Sequence, residues 1–164
     1  MGQINRATEK SISEGRLQLP FLAELKTERE TGELARRFAR LLAGGDLVML
    51  SGTLGAGKTL FVRAAASVLG VDEDEISSPS FALVNRYEGE ELTVYHIDLW
   101  RLDEGSIEID TSLSLSEILD DEKAIVFIEW AEKLKKLPET SKIYEVNISG
   151  DGEQARVINI RRLR

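Results

Sequence analysis

Residues 52 to 59 read Gly52-Thr53-Leu54-Gly55-Ala56-Gly57-Lys58-Thr59. Every fixed position of the phosphate-binding pattern G-x-x-x-x-G-K-[ST] is filled. Glycines let successive backbone N–H groups turn inward, and a helix that begins inside the loop adds positive potential, so the segment suits a polyphosphate. In that chemistry Lys58 reaches the β- and γ-phosphates and the Thr59 hydroxyl ligates Mg2+. With Leu60 the run forms the candidate nucleotide site, and ATP with Mg2+ is the cofactor pair it implies. The competing interpretation is a glycine-rich turn that holds no ligand.

Phosphoryl chemistry also needs carboxylates, one to position Mg2+ or its waters and another to orient attacking water. Asp98 closes the apolar run Val94-Tyr95-His96-Ile97, and Glu129 closes Ile125-Val126-Phe127-Ile128. In open α/β sheets, ligands sit beyond the carboxyl ends of parallel strands, where such acids point. Lys58, Asp98 and Glu129 are therefore the candidate catalytic set. His96, the one histidine, shares a strand face with Asp98 at a period of two. It reads as a hydrogen-bonded core histidine rather than a catalytic part. Trp130 either lines the site, gates it or simply packs. Ser78-Pro79-Ser80 is a turn or a phosphate-sensing loop. Arg101 is a surface charge or an arginine finger.

The elements that must carry these groups follow from periodicity. Thr27-Glu28-Arg29-Glu30 has the form of a capping box. Leu34, Ala35, Phe38, Leu41 and Leu42 then recur at helical spacing until Gly44-Gly45. Leu47 to Leu50 reads as a short buried strand. Lys58 to Leu69 reads as a helix, with Gly70 placed as its C′ residue. Arg16 to Leu25 suits an edge strand. Phe81 to Tyr87 and Leu92 to Leu99 suit a hairpin around Glu88-Gly89-Glu90. Leu115 to Leu119 suits a weak helix, and Ala124 to Ile128 a buried strand. Ile143 to Ile148 and Arg156 to Ile160 suit a closing hairpin. The sum is an α/β, three-layer P-loop NTPase-like domain with a mixed β-sheet and a C-terminal β-hairpin. Residues 1–15 are expected to be a flexible tail and 16–164 a single domain.

Composition narrows the function. The 164 residues carry 21 basic and 29 acidic side chains, a net charge of −8, which disfavours a stand-alone nucleic-acid binder. Arg156, Arg161, Arg162 and Arg164 gather cations near the end of the chain, which reads as a solvated tail or a contact for an acidic partner or RNA. The sequence has no cysteine, which removes disulfides and thiolate chemistry. No apolar run is long enough for a bilayer and the N-terminus has no apolar signal region, so a soluble, cytoplasmic protein without membrane contact is expected.

Leu54-Gly-Ala-Gly-Lys-Thr59, Ser78-Pro-Ser-Phe81, Val94-Tyr-His-Ile-Asp-Leu-Trp-Arg101 and Ile128-Glu-Trp130, in this order and spacing, resemble the TsaE (YjeE) family. The likeness spans about residues 27–160. It implies a P-loop ATPase of tRNA threonylcarbamoyladenosine synthesis that works with TsaD and TsaB, meets tRNA only through them, and resets their complex between turnovers. By the same resemblance, Thr59 and Glu129 hold Mg2+ and Asp98 assists hydrolysis. Thr31 lies near the nucleotide base with Glu28 close by, and Glu132 borders the nucleotide. Ser80 stands where the family usually has threonine, and Trp100 where it usually has tyrosine. The 105–115 segment lacks the usual glutamate-rich helix. A small-molecule kinase is the enzymatic alternative, although basic residues for a lid are sparse between Arg63 and Arg101. A GTPase would need an Asn-Lys-x-Asp motif, which does not occur. A nucleotide-gated binding module with incidental hydrolysis is the non-enzymatic alternative.

Overall fold

The structure is a computed structural model that describes residues 16–102, 115–134, 136, 137, 139, 142–150 and 155–164. The expected tail at 1–15 and much of the 105–115 segment lie outside the described residues. Among the described residues seven strands form one mixed sheet: β1 (Phe21–Leu25), β2 (Asp46–Gly52), β3 (Val84–Glu88), β4 (Thr93–Asp98), β5 (Ala124–Glu129), β6 (Lys142–Ser149) and β7 (Arg156–Arg162). Their spatial order is β1-β7-β6-β2-β5-β4-β3. β2 runs parallel to both β5 and β6, and β4 runs parallel to β5. The flanking pairs β3–β4, β6–β7 and β1–β7 are antiparallel. The closing hairpin is present as β6–β7.

The strands alternate between two cores. Val48, Leu50, Ile125, Phe127, Val146 and Ile148 face helices α1 (Glu28–Ala39) and α2 (Lys58–Val68), whose Leu34, Phe38, Phe61 and Ala65 fill that side. Leu47, Met49, Ile97, Val126 and Ile128 face the opposite way, against Leu115 and Leu119 of the short helix α3 (Leu115–Leu119). This makes the three layers, with β2 and β5 buried on both faces as central parallel strands require.

Local sequence explains most boundaries. Thr27 caps α1: its hydroxyl accepts from Glu30 N at 3.1 Å, while the Glu30 carboxylate accepts from Thr27 N at 2.9 Å. Both halves of the capping box are thus made. The helix stops at Ala39, before Gly44-Gly45, because Leu41 N and Leu42 N turn to Phe38 O and Ala39 O three residues back. β1 starts only at Phe21, immediately after Pro20, which has no N–H to give a ladder. The strand expected from Phe81 begins instead at Val84. Leu83 N donates to Pro79 O at 2.7 Å and Leu83 takes a positive φ of 65°, so residues 79–83 form a turn that leaves Phe81 exposed.

The terminal arginines do not form one solvated tail. Arg156 is buried at the start of β7, Arg161 pairs with Glu145, and Arg162 Nε donates to Arg164 O at 2.7 Å. Alternation along β7 (Arg156–Arg162) puts Arg161 on the face opposite to Arg156 and Arg162. No helix among the described residues is long and apolar enough to cross a membrane.

Candidate functional site

β2 ends at Gly52 and α2 begins at Lys58, so the glycine-rich loop spans the carboxyl edge of the sheet. Gly52, at φ 146°, is pressed against β6: a Cβ there would lie 2.3 Å from Ile148 O. The Thr53 hydroxyl donates to Gly150 O at 3.0 Å, fastening the loop to the end of β6. Ala56 is buried and its N–H closes a turn on Thr53 O at 3.2 Å. Gly57 caps α2 at φ 105° with no side-chain bond, so no loop side chain competes for the first N–H groups of the helix.

Parallel register brings the two strand-terminal acids to the same edge, since Asp98 and Glu129 are neighbours across β4 and β5. Glu129 in turn sits beside Leu50 of β2. A cleft of about 420 Å³ opens above these ends. It is lined by Leu54, Gly55, Gly57, Lys58, Thr59 and Leu60 from the loop and helix, and by Ser78, Ser80, Phe81, Asp98, Trp100, Arg101, Glu129 and Trp130.

Inside the cleft the polar groups are tied to one another. Lys58 is buried, and its Nζ donates to Gly52 O at 2.7 Å and Thr53 O at 2.9 Å. The same ammonium lies 3.7 Å from the centre of the Trp130 ring. Burial pushes its pKa below the ordinary lysine range, and the carboxylates of Glu129, Glu132 and Asp98 pull it partway back. The Thr59 hydroxyl donates to Glu129 Oε1 at 2.8 Å. Asp98 Oδ2 accepts from the Ser78 and Ser80 hydroxyls at 2.8 and 2.9 Å, and its Oδ1 accepts from Trp100 N at 2.9 Å. The 78–80 segment is therefore fastened to the acid rather than free.

Aromatic and cationic groups close the mouth. Trp130 adopts φ 59°, a left-handed conformation rare for a bulky side chain, and packs against Trp100 with ring centres 4.5 Å apart and ring planes tilted by 43°. Lys133 Nζ donates to Trp100 O and Leu102 O at 2.6 and 2.8 Å, clamping the exit of β4 to the turn after β5. Arg101 lies 4.1 Å from the centre of the exposed Phe81 ring.

Not every candidate converges on the cleft. Thr31 is wholly buried in α1, where its hydroxyl donates to Thr27 O at 3.3 Å and accepts from Arg156 Nη1 at 3.2 Å. Glu28 is an exposed first residue of the same helix. Neither lines the cleft, and Glu132 acts on Lys58 only through its charge. Two further features were hidden in the sequence. Phe81 and Trp100 line the mouth, and His96 Nε2 bonds Glu129 Oε1 at 2.7 Å. The face His96 shares with Asp98 was the available signal; that β4 lies beside β5 was not.

The donor set suits a small hard cation. Thr59 and Glu129 offer a hydroxyl and a carboxylate oxygen 2.8 Å apart, beside a loop able to take phosphates. Mg2+ commonly takes only one or two protein oxygens, with phosphates and waters completing its shell. Accordingly, no cluster of three or more His, Cys, Asp or Glu residues is needed, and none occurs among the described residues.

Comparison with known proteins agrees with this architecture. The family model described as threonylcarbamoyl adenosine biosynthesis protein TsaE matches residues 25–158. A Rickettsia conorii protein named tRNA threonylcarbamoyladenosine biosynthesis protein TsaE is 37% identical over 83% of this chain and 75% of its own. The Aquifex aeolicus protein of the same name is 40% identical over 68% of this chain and 77% of its own. The crystal structure of Bacillus subtilis YdiB superposes with a TM-score of 0.57 at 24% identity, covering 88% of each chain, which supports the fold. With the loop motif and both strand-terminal acids inside the matched span, the chain belongs to the TsaE family of tRNA threonylcarbamoyladenosine biosynthesis.

Proposed function

We propose that this protein is a Mg2+-dependent ATPase of the cytoplasm that supports tRNA threonylcarbamoyladenosine synthesis together with TsaD and TsaB. ATP binding and hydrolysis would reset their complex between turnovers. One observation carries the ATPase assignment: a buried ammonium, a helix-terminal hydroxyl and two strand-terminal carboxylates share one cleft with the glycine-rich loop.

Each group has a chemical task that its position supports. Lys58 exchanges the loop carbonyls for β- and γ-phosphate oxygens, which are stronger acceptors. The N–H groups of the loop and the start of α2 take the remaining phosphate charge. Thr59 and Glu129 hold Mg2+, which when bound neutralises charge on the phosphates. Asp98 is the group able to orient water, once the Ser78 and Ser80 hydroxyls release its Oδ2. Trp130 and Trp100 shield the cleft from bulk water at its mouth.

The acceptor decides between this reading and a small-molecule kinase. Phosphate release from ATP with water as the only acceptor, stimulated by a TsaB–TsaD preparation, supports the ATPase. Transfer of the γ-phosphate to a metabolite sinks it. Partner choice is tested by pull-down against TsaB–TsaD with and without ATP and Mg2+, where no retention under either condition removes the partner assignment.

A further inference from the structure

His96 is a buried polar group that touches the cleft's chemistry without a task in it so far. His96 is completely inaccessible, on the face of β4 that carries Asp98. Among the described residues its Nδ1 has no hydrogen-bond partner, while Nε2 lies 2.7 Å from Glu129 Oε1. A buried imidazole with one unpaired nitrogen is costly, and an apolar side chain of similar volume would avoid that cost. The single bond that His96 does make goes to the carboxylate assigned to Mg2+. Because a carboxylate only accepts, Nε2 carries the proton in this bond.

Glu129 Oε1 takes two bonds at once, from His96 Nε2 and from the Thr59 hydroxyl. The Thr59 hydroxyl must reorient to bring a lone pair to the metal, even where its O–H stays on Glu129. His96 sits behind Glu129 inside the sheet and has no such second duty. We propose that His96 is a positioning residue. Its Nε2–H fixes the Glu129 carboxylate in one orientation through the nucleotide cycle, so that the acid faces the metal while Thr59 reorients. Groups behind a metal ligand commonly set its orientation in this way, and their loss typically costs 10- to 100-fold in metal affinity or activity. The inference rests on the ATPase reading above.

A pair of substitutions separates positioning from packing. Glutamine carries its amide nitrogen near the place of Nε2, whereas the asparagine amide ends near Nδ1 and falls short of Glu129. His96→Gln should keep kcat for ATP within about threefold of wild type, and His96→Asn should lose about 10- to 100-fold in kcat with KM for ATP little changed. Calorimetric titration of ADP at a series of Mg2+ concentrations should show the Mg2+ midpoint raised about tenfold for His96→Asn only. Equal losses in both variants overturn the proposal, because only glutamine keeps a donor near the place of Nε2; so does a folded His96→Asn variant with wild-type kcat and Mg2+ midpoint. A second measurement needs no variant. The sequence contains one histidine, so 15N-histidine labelling gives a single imidazole spectrum. The Nε2–H tautomer should persist when Mg2+ and ADP are added, and a proton moved to Nδ1 overturns the proposal. Wild-type protein that binds no ADP in the same calorimeter overturns the ATPase reading itself, and with it the role of His96.

Discussion

Replacing Lys58 with methionine removes the charge while keeping an unbranched stem of comparable length in the buried channel between loop and Trp130. The ammonium donates to two carbonyls at 2.7 and 2.9 Å and contacts the Trp130 face, yet burial still holds its pKa below the ordinary value. Its partners therefore return less than desolvation costs. For a lysine with a depressed folded pKa, that cost is present in full below the folded value and fades as pH rises towards the unfolded one. At pH 7 the Lys58→Met protein should accordingly melt no lower than wild type, since water can reach the released carbonyls from the cleft.

Nucleotide affinity should move the other way. A charge-assisted bond to a phosphate oxygen contributes about 1.5–3 kcal/mol. Two such bonds, less the carbonyl bonds Lys58 surrenders to make them, leave about 2–4 kcal/mol, which is about 30- to 1,000-fold in Kd. Calorimetry with a non-hydrolysable ATP analogue and Mg2+ reads the affinity, and scanning calorimetry on the same samples reads the melting point. A fall in melting temperature of more than about 5 °C, equivalent to roughly 1.5–2 kcal/mol for a chain of this size, combined with near wild-type affinity would refute the argument. It would mean that Lys58 is a structural staple and not a phosphate ligand.

The two glycines that flank the loop should fail differently. Gly52→Ala meets Ile148 O at 2.3 Å as well as an unfavourable φ, whereas a Cβ at Gly57 meets nothing within 4 Å. Thermal melts should show Gly52→Ala losing about 3 kcal/mol or more and Gly57→Ala about 1–2 kcal/mol, the latter from its φ alone; equal losses would contradict the β6 contact. Asp98→Ala should bind ADP with little change but hydrolyse ATP about 10²-fold more slowly, and unaltered turnover in a phosphate-release assay removes Asp98 from catalysis. Asp46, buried where β2 starts, has its pKa raised, chiefly by desolvation and against the pull of the Ala43 N–H, Lys142 and Arg162. A raised carboxyl pKa costs stability above the folded value and sheds that cost as pH falls towards the unfolded one. Asp46→Asn should thus be at least as stable as wild type at pH 7.5, with the gap narrowing towards pH 4; a gap that widens on acidification contradicts it.

How much of this was written locally in the sequence depends on the range of each interaction. The loop, its strand and its helix were legible because motif and periodicity lie within about twenty residues, and both site acids were legible as polar ends of apolar strands. Thr31 was not: its hydroxyl is engaged by Arg156, 125 positions away, and only the docking of α1 against the β7 side reveals that pairing. The same contact removed Arg156 from the supposed cationic tail. Phe81 looked like a strand residue by composition, and the Pro79–Leu83 turn overrode it. The His96–Glu129 bond depends on β4 lying beside β5 across 33 residues of sequence, a fact of strand order that periodicity does not encode.

On the proposed ATPase reading, strand order also accounts for how an acidic chain would favour a polyanion. The cleft is lined by two cations, Lys58 and Arg101, and by two carboxylates, Asp98 and Glu129, so its side chains alone offer no net positive charge. On that reading, attraction would come from oriented N–H groups at the loop and the start of α2, together with a divalent cation that would turn Glu129 from a repulsive neighbour into a ligand. The resting bonds fit that division. Asp98 is occupied by the Ser78 and Ser80 hydroxyls, Glu129 by His96 and Thr59, and Lys58 by backbone carbonyls. Each charged group is thus held by neutral or exchangeable partners, and one ligand carrying both phosphate and Mg2+ can replace the bonds to Lys58 and Thr59 together. The net charge of −8 keeps the surface unattractive to RNA while the field that matters is built locally, from backbone dipoles at the carboxyl edge of the sheet.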